Sequence, residues 1–162
     1  MPEDPYPTRR SPRIFRYDYR TAGAYMVTIC SARRREIFGH VASDRVDLNW
    51  IGQIVAEELR RIPTIRSDVT MDAFVVMPNH LHAIVSLQSD QGISLPALMN
   101  QFKAAVTRRV RATTVDTVEI WQRGFYERII QNDRQLGIAR EYIEDNPRRW
   151  AEDRENVRCR SR

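Results

Sequence analysis

Apolar positions fall into two rhythms along this chain. Residues 24–30 (Ala-Tyr-Met-Val-Thr-Ile-Cys) are β-branched and aromatic and read as a strand. Residues 68–77 and 80–88 are two further apolar runs parted by Pro78-Asn79, which predicts a hairpin with a tight turn. Residues 119–130 read as a last strand or extended segment, and Ile37-Phe38-Gly39 as a short edge element. Elsewhere the spacing lengthens to three and four. Leu48, Ile51, Val55, Leu59 and Ile62 form one stripe, so residues 47–62 predict an amphipathic helix, capped by Asp47 or Asn49 and ended by Pro63. Leu95, Leu98, Phe102, Ala105 and Val106 mark a second helix over 94–112, with Ser94 as its cap. Leu136, Ala139 and Ile143 mark a third over 132–145, stopped by Asn146-Pro147.

The resulting order is β-α-β-β-α-β plus a C-terminal helix. It implies an α+β fold of the split β-α-β kind, with one antiparallel sheet and helices packed on it. At 162 residues the chain suits one domain that can bury its own core. The expected division is an N-terminal arm at 1–20, rich in Pro, Arg and Tyr, a domain at 21–150 and a charged tail at 151–162. No apolar run approaches a membrane span. The first residues lack the apolar stretch of a secretory signal, so a cytoplasmic location is the expectation. Cys30 and Cys159 lie far apart and imply no disulfide framework.

Charge narrows the partners. The net charge is +5, and of 26 Lys and Arg residues only Lys103 is a lysine. Arginine codon preference can explain that ratio, but not the net excess or its clusters at Arg33-Arg34-Arg35, Arg108-Arg109-Arg111 and Arg148-Arg149. A basic surface favours polyanions, and the planar guanidinium grips phosphate in two places and stacks on bases.

The candidate chemistry starts at Pro78-Asn79-His80-Leu81-His82, which holds two of the three histidines. On a strand, His80 and His82 would aim two imidazoles to one side, while Leu81, Ala83, Val85 and Leu87 face the other. Two convergent imidazoles can bind a divalent metal, although a hydrogen-bonded pair without metal is an equal reading of that spacing alone. On the third helix Tyr142 lies beside the core stripe, with Asn146 four residues later on the same side. Packed on the histidine face, this helix would offer an amide oxygen as third ligand and a phenol as nucleophile, leaving coordination positions open for water or phosphate oxygen. Tyr126, in a basic aromatic segment, is a rival nucleophile; DNA stacking or packing is the preferred reading, because only Tyr142 has an amide partner at helical spacing. Arg16, Arg33, Lys103, Arg108, Arg109, Arg123, Phe125, Tyr126 and Arg128 are the candidate DNA contacts, since aromatic and arginine side chains together suit unpaired bases. For Trp121 a core position is favoured, and for Lys103 an ordinary surface position is equally open.

With these motifs in view, the chain resembles the single-tyrosine HUH endonucleases. Pro78–His82 matches their histidine-hydrophobe-histidine motif and Glu141–Pro147 their nucleophile segment. Arg16-Tyr17-Asp18-Tyr19, Gly23–Cys30, Ile37-Phe38-Gly39, Phe102-Lys103, Trp121-Gln122-Arg123 and Phe125–Arg128 also look like recurring segments of that family. The nearest group is the REP-associated tyrosine transposases, relatives of the transposases of single-stranded insertion sequences. The resemblance implies a ferredoxin-like sheet with a C-terminal helix carrying the nucleophile Tyr142. It implies His80, His82 and Asn146 as ligands of magnesium or manganese, though two imidazoles would also suit zinc. It implies cleavage of single-stranded DNA beside a hairpin through a 5′-phosphotyrosine. The insertion-sequence relatives usually carry Gln where this chain has Asn146. Family members work as monomers or as homodimers, and both states are open here. Two rivals stand beside this expectation: a non-catalytic binder of structured single-stranded DNA or RNA, and a metal-dependent hydrolase of small phosphoesters, which the basic arms and lack of clustered carboxylates disfavour.

Overall fold

The computed structural model describes residues 21–152. The expected arm at 1–20, with Arg16, therefore lies outside the described residues, as does the tail from 153 onward. In chain order the elements are β1 (Gly23–Cys30), β2 (Gly39–Ala42), β3 (Arg45–Leu48), α1 (Trp50–Ile65), β4 (Val69–Val76), β5 (His80–Leu87), α2 (Leu95–Thr113), β6 (Tyr126–Ile130) and α3 (Asp133–Asp145). Short 3-10 turns follow β1 at Ala32–Arg34 and α3 at Trp150–Glu152.

The main sheet runs β4-β5-β1-β6 with every neighbouring pair antiparallel. Four strands in this order, with α1 and α2 as the two crossovers, make the ferredoxin-like split β-α-β expected from the pattern. Alternation along each strand divides the side chains between two faces. Leu81, Ala83, Val85 and Leu87 of β5 join Tyr25, Val27 and Ile29 of β1 and the buried stripes of α1 and α2 in one large apolar cluster. On the other face Met26 and Ile84 meet Ala139 and Ile143 of α3 in a much smaller one. Hydrophobic burial at about 25 cal/mol per Å² makes the first face the source of most of the stability.

Several elements depart from the expected boundaries. Asn49 is the α1 cap, its side chain accepting from Gly52 N at 3.0 Å. Asp47 and Leu48 belong instead to β3, in a β2–β3 hairpin whose turn places Ser43 and Asp44 at φ of 50° and 61°. Two positive φ values in a two-residue turn match the twist of the flanking strands. Pro63 does not end α1. The helix runs two residues further, closed by Arg66 N donating to Ile62 O at 3.0 Å. A proline in the last turn removes only its own N–H donor, and only two helical residues follow it, so little helix is left to disrupt. Ser94 caps α2 as expected, accepting from Ala97 N at 3.3 Å.

The stretch 119–130 is a strand only over Tyr126–Ile130. Before it the chain loops, touching the sheet through one bridge, Ser31 with Trp121. Gly124 takes a φ of +76°, and Lys103 Nζ donates to the carbonyls of Gln122, at 2.9 Å, and Gly124. Trp121 packs on Phe38 and Phe102 with centroids 5.3 and 5.7 Å away, so it is a core residue, as favoured. Among the described residues no helix is long and apolar enough to cross a membrane.

Candidate active site

The site is assembled on the α3 face by four strands and one helix. Register places Val75 of β4, His82 of β5, Thr28 of β1 and Tyr126 of β6 in one row across the sheet, so their side chains share a face. His80 stands two residues along β5 from His82, on the same face and opposite Cys30. Helix α3 lies over these residues because Ala139 and Ile143 bury against Met26 and Ile84. A second tie fixes its angle. The β4–β5 register shifts between Met71 and Ala73. Asp72, at that irregularity, takes a bidentate bond from Arg140 Nε and the adjacent guanidinium nitrogen at 2.7 and 2.6 Å. A bulge re-aims a side chain out of the alternating pattern, here toward the helix. The pairing holds the Asp72 carboxyl below its usual range, the Arg140 hydrogen bond being the largest cause.

The two imidazoles converge. His80 Nε2 and His82 Nε2 are 3.1 Å apart, with the rings edge to face. Both residues are buried. Each outer nitrogen has a partner: His80 Nδ1 is 2.8 Å from Asn79 Oδ1, and His82 Nδ1 is 2.7 Å from Thr28 Oγ1. Burial pushes the His80 ring well below its ordinary value, aided by the neighbouring His82 and Arg34 and opposed by the Asn146 amide. Burial alone lowers His82 to about 3. Both rings are therefore neutral at physiological pH, the form in which imidazole binds a metal.

Helix α3 delivers the rest. The Tyr142 ring sits edge to face on His82 at 5.1 Å between centroids. Asn146, the first residue after the helix, is 3% exposed, and its Oδ1 is buried with no hydrogen-bond partner. An orphaned buried acceptor is costly unless something fills it. Two neutral imidazole nitrogens and an amide oxygen are a donor set that fits a divalent cation. Among the described residues no group of three or more His, Cys, Asp and Glu side chains could hold a metal, so His80, His82 and Asn146 are the set available. The Trp150 ring lies 6.0 Å from that of His80.

The candidate DNA contacts divide. Arg33 and Arg123 are exposed and lie near the His80 end of the sheet, because the 31–35 turn and the 119–124 loop are joined there. Arg35 donates to Glu119 O at 3.0 Å, and Ser31 N to Asn79 O at 2.9 Å. Tyr126 and Arg128 alternate onto the α3 face, with Arg128 exposed. Phe125, by contrast, packs against the large core. Lys103 is turned to the 122–124 loop rather than outward, and burial lowers its amine to about 8. Arg108 and Arg109 sit on α2, in the helical layer behind the sheet. Arg109 bonds Glu57 and Glu58 of α1 at 2.5 and 2.9 Å, which fits a strut between helices better than a backbone contact. Thr28, Asn79 and Trp150 join the site without a strong signal in the sequence. Thr28 carried a faint signal in alternation with Met26, and Asn79 in its place inside the histidine motif.

Comparison with known proteins agrees with this architecture. The fold is similar to a solved REP-associated tyrosine transposase bound to a REP hairpin, with a TM-score of 0.63 and 21% identity over 83% of this chain and 71% of that one. It is also similar to a Deinococcus radiodurans R1 protein assigned to the transposases, with a TM-score of 0.53 and 17% identity over 77% of this chain and 91% of that one. These likenesses show the fold, a ferredoxin-like domain. Residues 20–146 match the family model described as Transposase IS200 like, and the chain belongs to that family. An uncharacterized protein of Haemophilus influenzae is 32% identical over 165 residues, covering 90% of this chain and 91% of its own length.

Proposed function

We propose that this transposase is a metal-dependent single-strand DNA endonuclease and strand transferase that works through Tyr142. The observation that carries the reading is the convergence of His80, His82, Asn146 and Tyr142 within one chain, with the Asn146 oxygen buried and partnerless. A magnesium or manganese ion on His80, His82 and Asn146 would polarise the scissile phosphate. Tyr142 Oη then forms a bond to phosphorus as the bond from phosphorus to the 3′-oxygen breaks. The phenolic proton passes to solvent, and the departing 3′-oxygen takes a proton to become a free hydroxyl. The 5′-phosphotyrosine keeps the phosphodiester's energy, so the reverse step with another 3′-hydroxyl rejoins strands. A phenol with a pKa near 10 attacks poorly by itself; the Tyr142 ring is held edge to face on His82, beside the candidate ligands. Arg33 and Arg123 would bind the approaching backbone, and Tyr126 would stack an unpaired base. The substrate class is single-stranded DNA flanked by a hairpin, which fits the basic rim and the hairpin bound by the solved relative.

The test is incubation with hairpin-flanked single strands, with manganese or with chelator, resolved on denaturing gels. A covalent adduct that needs manganese and is lost in Tyr142→Phe but kept in Tyr126→Phe is expected. The reverse pattern would sink the assignment, and metal-independent binding without cleavage of such substrates would favour a non-catalytic binder.

A further inference from the structure

The histidines belong to a longer hydrogen-bonded chain that links three elements. It runs from Thr28 Oγ1 to His82 Nδ1 (2.7 Å), from His82 Nε2 to His80 Nε2 (3.1 Å), from His80 Nδ1 to Asn79 Oδ1 (2.8 Å), and from Asn79 Nδ2 to Arg34 O (3.2 Å). Its polarity is fixed at one end. The Arg34 carbonyl only accepts, so the Asn79 amide must present its nitrogen there and its oxygen to His80. His80 Nδ1 then carries the proton, and His80 Nε2 is a bare lone pair. Without a cation between the rings, His82 Nε2 must be the donor to that lone pair, since two acceptors at 3.1 Å repel. His82 Nδ1 is then bare and takes the Thr28 hydroxyl proton. Every donor points the same way, from Thr28 to Arg34.

A metal requires both Nε2 lone pairs at once. His80 already offers one. His82 has to move its proton to Nδ1, and the group facing Nδ1 must then accept instead of donate. A hydroxyl can do either by rotating about one bond, while the Asn79 end cannot. We propose that Thr28 is the positioning residue that sets the His82 tautomer, turning from donor to acceptor when the site takes a divalent cation. The proposal rests on the metal reading above. His82 stays neutral throughout: one proton leaves Nε2, one is held on Nδ1, and the Thr28 hydroxyl proton turns to water. Partners of this kind typically govern metal affinity by 10- to 100-fold.

Three proteins decide it: wild type, Thr28→Ser, which keeps the hydroxyl, and Thr28→Val, which keeps the shape and strand preference. Manganese affinity is read by titration calorimetry, with melting in chelator as the folding control. Thr28→Ser is expected to bind within a few-fold of wild type, and Thr28→Val about 10- to 100-fold more weakly. Nitrogen NMR of the wild-type rings gives a readout that needs no variant. His82 should carry its proton on Nε2 without metal and on Nδ1 with magnesium. Equal affinity in Thr28→Val, equal weakness in both variants, or a proton on His82 Nδ1 before metal is added would overturn the proposal alone. No manganese uptake by the wild type would overturn the metal reading and the proposal with it.

Discussion

The two faces of the main sheet are made by the same strands and carry opposite kinds of residue. Behind it, Leu81, Ala83 and Val85 of β5 lie in a continuous apolar layer with α1 and α2. In front, His80 and His82 of the same strand lie in a polar row, and α3 is held there by a small apolar patch and the Asp72–Arg140 pair. One face is fastened by area, the other by geometry. The difference shows how a strand can hold two imidazoles in a fixed relation: each flanking residue is anchored on the opposite side, so the rings inherit the rigidity of the core.

The largest effect on this contrast comes from the back. Leu81→Ala empties a fully buried site between the two histidines and should cost about 2–5 kcal/mol in denaturant unfolding. The folded fraction should still take up manganese. Loss of uptake by well-folded Leu81→Ala would show that the faces are not separable.

Acid tests the front. Both histidines have folded pKa values below the ordinary 6.5, so the unfolded chain takes protons that the folded chain refuses. Metal-free stability should hold above pH 6.5 and fall as the pH drops from there toward the folded values. The loss from pH 6.5 to 5.5 is about 1 kcal/mol for each ring. Flat stability across that interval, measured by denaturant titration, would mean that the rings are not held neutral.

Much of this division was legible in the sequence. The His80–His82 alternation and the Tyr142–Asn146 spacing are local periodicities, and they put both pairs on the correct sides of their elements. The β2–β3 hairpin was not, because each strand is four residues long and its Ser43-Asp44 turn lacks the usual glycine. Pro63 read as a stop because a proline's cost depends on how much helix follows it. The roles of Thr28, Asn79 and Trp150 depend on which strand lies beside which, and on where the chain turns after α3. Nothing in their own neighbourhoods encodes that. Arg109 reads in sequence as part of a phosphate-binding cluster because Glu57 and Glu58, its partners, lie 52 and 51 residues away.

Two smaller effects separate basic residues by face. Arg109→Ala removes a strut of the helical layer and should cost about 1 kcal/mol, since Glu58 keeps Arg61 at 2.8 Å. Its affinity for a hairpin-flanked strand should be unchanged. Arg123→Ala, on the front rim, should leave stability alone, weaken DNA binding a few-fold and reduce the salt-dependence slope by about 1. Binding isotherms at several salt concentrations check both, and an exchange of these phenotypes would reverse the placement of the DNA.

The most direct measurement is the site of covalent attachment. Trypsin separates the two candidate tyrosines, Tyr142 within Glu141–Arg148 and Tyr126 within Gly124–Arg128. Mass spectrometry of the digested manganese-dependent adduct should find the nucleotide on Glu141–Arg148. A nucleotide on Gly124–Arg128 would contradict the assignment of α3 as the catalytic helix.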